Sequence, residues 1–208
     1  MPTLLHVAGS PRGTRAASRE VATAFIEAWR AHHSSGVVDT LDVWTTALPD
    51  FDGDALEAKY AGLAGQPLTP AQAKVWEDIR ALAGRFAKAD VILFSTPMWN
   101  YTIPYRLKHL IDAVSQKDLV FTFDERGQIG MLGKARGVVV AARGVALGEH
   151  FPRDVFDHQT TYLRTWFRMV GVMDVAVIEV EKTLFGPAAD RESRDGAVRA
   201  AAKLAAGY

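Results

Sequence analysis

Two stretches of this chain carry residue types that could do chemistry. The first is Gly9-Ser10-Pro11-Arg12-Gly13-Thr14-Arg15-Ala16-Ala17-Ser18, between an apolar run and a helical pattern. It offers glycine for unusual dihedrals, hydroxyls that can donate, and two arginines. A helix starting there points its free backbone N–H groups at its own N-terminus. With the hydroxyls, these make an anion cradle suited to a phosphate. The loop is neither G-x-G-x-x-G nor G-x-x-x-x-G-K-[ST], which disfavours a dinucleotide fold and a P-loop NTPase. The same residues also read as a plain strand-to-helix connection with Ser18 as N-cap. Spacing alone leaves both readings open.

The second stretch is Thr96-Pro97-Met98-Trp99-Asn100-Tyr101-Thr102-Ile103-Pro104. It sets Met, Trp and Tyr around an Asn at the end of the most apolar run of the chain. Such a loop can lay a flat apolar wall against an aromatic ligand and aim backbone N–H groups at it. Two prolines hold it stiff. Aromatic packing between the loop and its neighbours accounts for the composition equally well. The remaining polar candidates read as structural. His6 lies within a strand pattern. His32 and His33 end a helix, where imidazole suits the dipole. His150 and His158 flank Asp154 and Asp157 without an H-E-x-x-H pattern, so no metal site is expected. Asp39 and Asp42 lack the preceding glycine fingerprint of a ribose-binding acid. The charged run at 190–195 reads as a solvated helix start.

These loops need elements to position them, and the chain alternates strand and helix patterns. Strands are expected at 3–8, 37–43, 91–95, 138–142 and 175–180. Helices are expected at 18–32, from the Thr69-Pro70-Ala71-Gln72 capping pattern to about Lys88, and at 105–115, 154–170 and 188–206. Residues 50–66 read as a loop holding one short helix. The alternation breaks at 120–132, where Val120-Phe121-Thr122-Phe123 and 128–132 flank Asp124-Glu125-Arg126-Gly127 as a β-hairpin excursion. Five strands separated by helices predict an α/β fold with a parallel sheet, and the flavodoxin-like order 2-1-3-4-5 is one of its two common solutions. Ligands then gather outside the strands' carboxyl ends at the switch point, which singles out loops 10–18, 96–101 and 143–149.

The chain has 208 residues with 24 basic and 24 acidic side chains. That length suits a single domain spanning 1–208. Neutrality argues against nucleic-acid binding through a basic surface. Cysteine is absent, so disulfides, zinc–thiolate sites, iron–sulfur clusters and thiol nucleophiles are excluded. No apolar run approaches the roughly 18 residues of a membrane helix. The start lacks the charged region of a signal peptide, so a cytoplasmic protein is expected.

The segment Pro97-Met98-Trp99-Asn100-Tyr101-Thr102-Ile103-Pro104, with Leu107-Lys108 and Ile111-Asp112, closely resembles a signature of the FMN-dependent NADH-azoreductases. These belong with the flavodoxin-like NAD(P)H:quinone reductases. Gly9-Ser10-Pro11-Arg12 and Ser18 resemble that family's phosphate loop, and Arg143-Gly144 its third flavin loop. The Phe121/Phe123…Gly127 hairpin and the Tyr162-Leu163…Trp166…Val170-Gly171 helix follow in the expected order. The resemblance covers nearly the whole chain.

It implies a flavodoxin-like three-layer sandwich that binds FMN noncovalently. The phosphate would sit at Ser10, Arg12, Ala16, Ala17 and Ser18. The isoalloxazine would lie against Pro97, Met98, Trp99, Asn100 and Tyr101, with its pyrimidine end near Ala142, Arg143, Gly144 and Val145. Ala16 stands where relatives often carry Ser, Ala142 and Val145 where many have Ser and Gly, and Arg168 where a small residue is usual. The implied chemistry is ping-pong: NADH or NADPH gives hydride to flavin N5, and two electrons pass to a quinone or azo compound. No side chain need act as nucleophile, and the cofactor carries the reaction. The resemblance further implies a homodimer with shared sites, to which Phe121, Phe123, Tyr162 and Trp166 would contribute. Alternatives are a flavin-dependent nitroreductase, an NAD(P)H:FMN reductase, a flavodoxin-like electron carrier, or a cofactor-less binding or sensor module.

Overall fold

The three central strands of a five-stranded parallel sheet are buried because both of its faces are covered, and the two edge strands are only partly so. Strands β1 (Thr3–Ala8), β2 (Val37–Asp42), β3 (Val91–Pro97), β6 (Arg136–Ala142) and β7 (Val175–Val180) pair in the order β2-β1-β3-β6-β7. This is the expected 2-1-3-4-5 order once the hairpin strands β4 (Phe121–Asp124) and β5 (Gly127–Gly130) are set aside. The computed structural model describes residues 1–148 and 150–208; Glu149, the last residue of the third loop, lies outside the described residues.

Alternation along each strand divides the core into two layers. Leu5, Val7, Ile92, Phe94 and Val139 pack under α3 (Pro70–Lys88), α4 (Tyr105–Val114) and α6 (His158–Met169). Their neighbours Leu4, Leu93, Val138 and Val140 face α1 (Ala17–His32) and α7 (Pro187–Ala205). The stripe Val21, Phe25 and Trp29 is fully buried, each such side chain contributing about 2 kcal/mol. Helix α3 begins on the expected capping box. The Gln72 amide donates to Thr69 Oγ1 at 3.3 Å, and the Thr69 amide donates to Gln72 Oε1 at 3.0 Å.

The one helix expected within 50–66 is α2 (Gly53–Leu63), eleven residues long and capped by the Asp52 carboxylate. Three expectations change on folding. The helix expected at 154–170 is two: α5 (Arg153–Phe156) stops at Asp157, whose carboxylate caps α6 through the Thr160 amide at 2.9 Å. Ser18 is not an N-cap, because α1 begins one residue earlier and Ala16 holds the cap position. The 190–195 run is more than a solvated start: Arg191 and Arg194 bridge to Glu20 on α1 at 2.7 and 2.9 Å. The hairpin stays beside the main sheet because Gly130 lies backbone to backbone on Gly171, where a Cβ would come within 2.0 Å of the Gly171 nitrogen.

Candidate functional site

The carboxyl ends of β1, β3 and β6 share one edge, tied by backbone hydrogen bonds that run past the strands. Gly9 N–H donates to the Ser95 carbonyl at 2.8 Å and Met98 N–H to the Ala142 carbonyl at 2.7 Å. The three predicted loops therefore meet.

The first loop ends in an open helix terminus. A 3-10 turn (Gly13–Arg15), entered at a Gly13 φ of 55°, leads into Ala16. Ala16 caps α1 without a side-chain hydrogen bond. The amides of Ala17 and Ser18 have no acceptor among the described residues. Ser18 is 1% exposed, yet its hydroxyl has no partner. A buried helix end with unpaired donors is costly in a finished structure. A phosphate on that turn supplies what the donors lack, which is the fit expected of an FMN phosphate. Ser10 is buried, and its Oγ accepts from the Arg12 amide at 3.3 Å; the Arg12 side chain is exposed beside it.

His6 lies beneath this loop, buried, with Nε2 2.8 Å from Ser95 Oγ. Burial lowers its pKa to about 4, Arg19 reinforcing and Asp42 opposing the shift. It is a packed strand histidine, as the sequence suggests. Asp42 is engaged by Arg19 at 2.8 Å and by the Trp44 amide at 3.0 Å, and Asp39 by Arg85 at 2.6 Å. Neither aspartate is free for a ribose.

The second loop reverses in two residues. Asn100 and Tyr101 have φ of 47° and 68°, while Trp99 and Thr102 exchange backbone hydrogen bonds at 2.8 and 3.0 Å. Positive φ at both central positions is the geometry of tight hairpin turns. For a bulky tyrosine it is an outlier. The turn is held from behind: the Tyr101 carbonyl accepts from the His158 amide at 3.1 Å, and the Tyr101 ring lies 4.9 Å from that of Phe156. Gln159, fully buried, donates to the Thr96 carbonyl at 3.1 Å. Trp99 and Asn100 line an apolar cleft of about 420 Å³ with Thr102, Ile103, Tyr105, Lys108 and Tyr162. Burial and Asp112 push the Tyr162 hydroxyl up to about 12, so it stays protonated.

The third loop hangs on Arg143. Its side chain is 1% exposed and turned inward, 2.9 Å from Glu179, 3.3 Å from Asp157 and 3.8 Å from Glu181. Arg153 joins this cluster, bonded to Glu179 at 2.5 Å. The Asp157 carboxyl is held below its ordinary value: burial works against this, but the Thr160 hydroxyl and amide and Arg143 prevail. The Arg143 guanidinium is thus committed to protein, as are the Arg143 amide, on the Val180 carbonyl, and the Arg143 and Gly144 carbonyls, on Thr183 and Leu184; the Gly144 and Val145 amides, with no acceptor among the described residues, are what this loop offers a ligand. A Cβ at Gly144 would meet the side chain of Leu184, with Cδ1 at 2.5 Å, but Leu184 is 82% exposed and can swing away, so the protein itself does not demand glycine there. Val145 is not among the residues with positive φ, so replacing glycine there brings no backbone strain.

Comparison with known proteins agrees with this geometry. A family described as having a flavodoxin-like fold matches residues 2–205. FMN-dependent NADH:quinone oxidoreductase 2 of Pseudomonas syringae pv. tomato is 51% identical over 98% of this chain and 97% of that protein. The chain belongs to the FMN-dependent NADH:quinone oxidoreductase family. Another member, FMN-dependent NADH:quinone oxidoreductase 9 of Burkholderia lata, is 49% identical over 89% of this chain and 90% of its own. In fold, the chain superposes on the crystal structure of an azoreductase from Bacillus anthracis with a TM-score of 0.91 at 24% identity, covering all of both chains.

Not every family-implied residue meets at the edge. Trp166 is a core residue: it is 3% exposed, packs on Phe86, Phe94 and Phe167, and satisfies its indole N–H on Ser115 Oγ at 2.9 Å. The α6 stripe that carries it faces the sheet, so within the chain it lies among core rings and does not line the cleft. Phe121 packs half-buried on the same core, and Phe123 is 57% exposed on the hairpin. Tyr162 does line the cleft. Sequence reasoning missed Trp44, Asp157, Gln159, Glu179 and Glu181. The strand-end rule that chose three loops applies equally to the loop after β2, which would have flagged Trp44. No spacing signal marks the two glutamates as partners of Arg143.

Proposed function

We propose that residues 1–208 act as one FMN-binding domain of a cytoplasmic, homodimeric NAD(P)H oxidoreductase that reduces quinones and azo compounds. The observation that carries this reading is the buried, uncapped first turn of α1, with its unpaired Ser18 hydroxyl. The names of the 51% and 49% identical relatives supply FMN, NADH and quinone. Ser10, Arg12, Ala16, Ala17 and Ser18 would hold the phosphate. Pro97, Met98, Trp99, Asn100 and Tyr101 would wall the ring system, with backbone of Ala142, Arg143, Gly144 and Val145 at its far edge.

FMN held by these residues would supply two-electron hydride chemistry between NADH or NADPH and the acceptor. The chain's part is to bind, orient and exclude water. The α1 terminus offers donors and the positive end of a dipole to the phosphate. The Asn100 and Tyr101 amides, with no acceptor among the described residues, offer donors at the second loop. Stiff aromatic walls preorganise the cleft. Exposed rings at Phe123 and Tyr105 favour a second copy that covers them.

The test is reconstitution with FMN, desalting, and anaerobic addition of NADH with absorbance recorded. Retained flavin that bleaches fully and is reoxidised by a quinone is the expected result. Protein that retains no flavin overturns the reading. Sedimentation of the loaded protein as a monomer with full turnover overturns the shared-site dimer.

A further inference from the structure

Trp44 lies in the loop after β2, outside all three loops assigned above, yet it touches two of them. Its indole Nε1–H donates to the Gly9 carbonyl at 3.0 Å. Its ring lies 5.7 Å from that of Trp99 and 5.4 Å, edge-on, from that of Tyr105. The residue is itself pinned. Its amide donates to Asp42 Oδ1 at 3.0 Å, and the other carboxylate oxygen takes Arg19 of α1 at 2.8 Å. The preceding Val43 carbonyl accepts from Arg106 of α4 at 2.9 Å.

Gly9 has no freedom left once Trp44 is in place. Its N–H is bound to Ser95 and its carbonyl to Trp44. A Cβ at Gly9 would meet Thr96 Oγ1 at 3.1 Å and Leu107 Cδ2 at 3.3 Å, so the backbone is pressed against β3 and α4. The Gly9 carbonyl belongs to the peptide that ends in the Ser10 amide. Fixing one fixes the other, at the entrance to the open turn of α1.

We infer that Trp44 is a positioning residue: its N–H locks the Gly9–Ser10 peptide for the cofactor phosphate, and its ring braces Trp99 in the acceptor wall. This rests on the FMN reading above. The two roles are separable, because Trp44→Phe removes the N–H and keeps an aromatic ring, whereas Trp44→Leu removes both.

The experiment compares FMN with riboflavin, which lacks the phosphate, by flavin fluorescence titration of the apoprotein. Trp44→Phe is expected to weaken FMN about fivefold, the net worth of one hydrogen bond. Riboflavin affinity and quinone KM should change less than about twofold, within the scatter of a neutral substitution. Trp44→Leu is expected to weaken FMN similarly and to raise the quinone KM as well. Equal weakening of both flavins by Trp44→Phe, or no weakening, overturns the lock. Hydrogen exchange of the apoprotein gives a readout that needs no flavin. Trp44→Phe should speed exchange across residues 9–16 and leave β1 protected; unchanged exchange there overturns the lock. Wild-type protein that binds neither flavin overturns the FMN reading instead, and exchange then decides the lock alone.

Discussion

The loops after β1 and β6 end on the same sheet edge, yet the first keeps donors free while the other pairs its charge inside the protein. At α1 the Ala17 and Ser18 amides and the Ser18 hydroxyl have no acceptor among the described residues. At Arg143 one guanidinium is shared among Asp157, Glu179 and Glu181. A positively charged arginine in a loop is the more obvious anion site from sequence, but unpaired donors lie at the first turn of α1, where we propose that the phosphate binds. On that proposal free donors, rather than the Arg143 charge, mark the binding surface. The Arg143 loop is rigid support for the edge.

The largest expected effect tests that support. Arg143→Met leaves Asp157, Glu179 and Glu181 with Arg153 alone. Removing one partner of a buried ion pair costs about 3 kcal/mol or more. For a chain of this size that is a fall of about 6–12 °C in Tm, measured by thermal unfolding of the apoprotein. An unchanged Tm would mean that the loop does not depend on its buried charges.

His6 supplies the next effect, under the first loop. Its pKa is lowered on folding, from 6.5 to about 4. The unfolded state therefore takes up the proton first as pH falls. Stability from the neutral, buried imidazole is complete above pH 6.5 and is lost toward pH 4. The loss is about 2 kcal/mol by pH 5 and about 3 kcal/mol by pH 4. Urea unfolding of wild type and His6→Gln across this range checks it, because the variant should lack that part of the slope. Parallel curves would show that His6 does not titrate as its burial implies.

Ser18→Ala then separates the two regions by sign. The hydroxyl is buried without a partner, so removing it should leave apoprotein stability unchanged or raise it by about 0.5 kcal/mol. FMN affinity should fall about five- to tenfold, the worth of a hydrogen bond to an anion. Thermal unfolding of the apoprotein and fluorescence titration read the two quantities separately. A destabilised variant with unchanged FMN affinity would make Ser18 structural and void the contrast with Arg143.

Strand order was legible because its signals are local: apolar runs at 91–95 and 138–142, and a capping box at Thr69. The second loop was legible because its composition is so unusual. What could not be read was how side chains point. Arg143 faces inward because Glu179 on β7 and Glu181 just after it pair with its guanidinium, and they are 36 and 38 residues away in sequence. Trp166 lies in the core because α6 turns that stripe to Phe94. The break at Asp157 was hidden because helical periodicity continues through it, and only the cap and the Arg143 contact reveal why the chain stops there.

The smallest expected effect is at Tyr101, which belongs to neither extreme. Its φ of 68° strains a non-glycine backbone by about 1 kcal/mol. Tyr101→Gly relieves that strain. It also loosens the unfolded chain and removes the ring contact with Phe156. These terms are similar in size and opposite in sign, so net stability should move by less than about 1 kcal/mol. Flavin affinity or acceptor KM should suffer more than stability, because a glycine at the second central position loosens the turn that presents Trp99 and Asn100 to the cleft. A loss of stability well beyond 1 kcal/mol with unaltered binding would mean that the strained turn serves the Phe156 contact and the fold. The site would then consist of the open turn of α1 and the Trp99 wall alone.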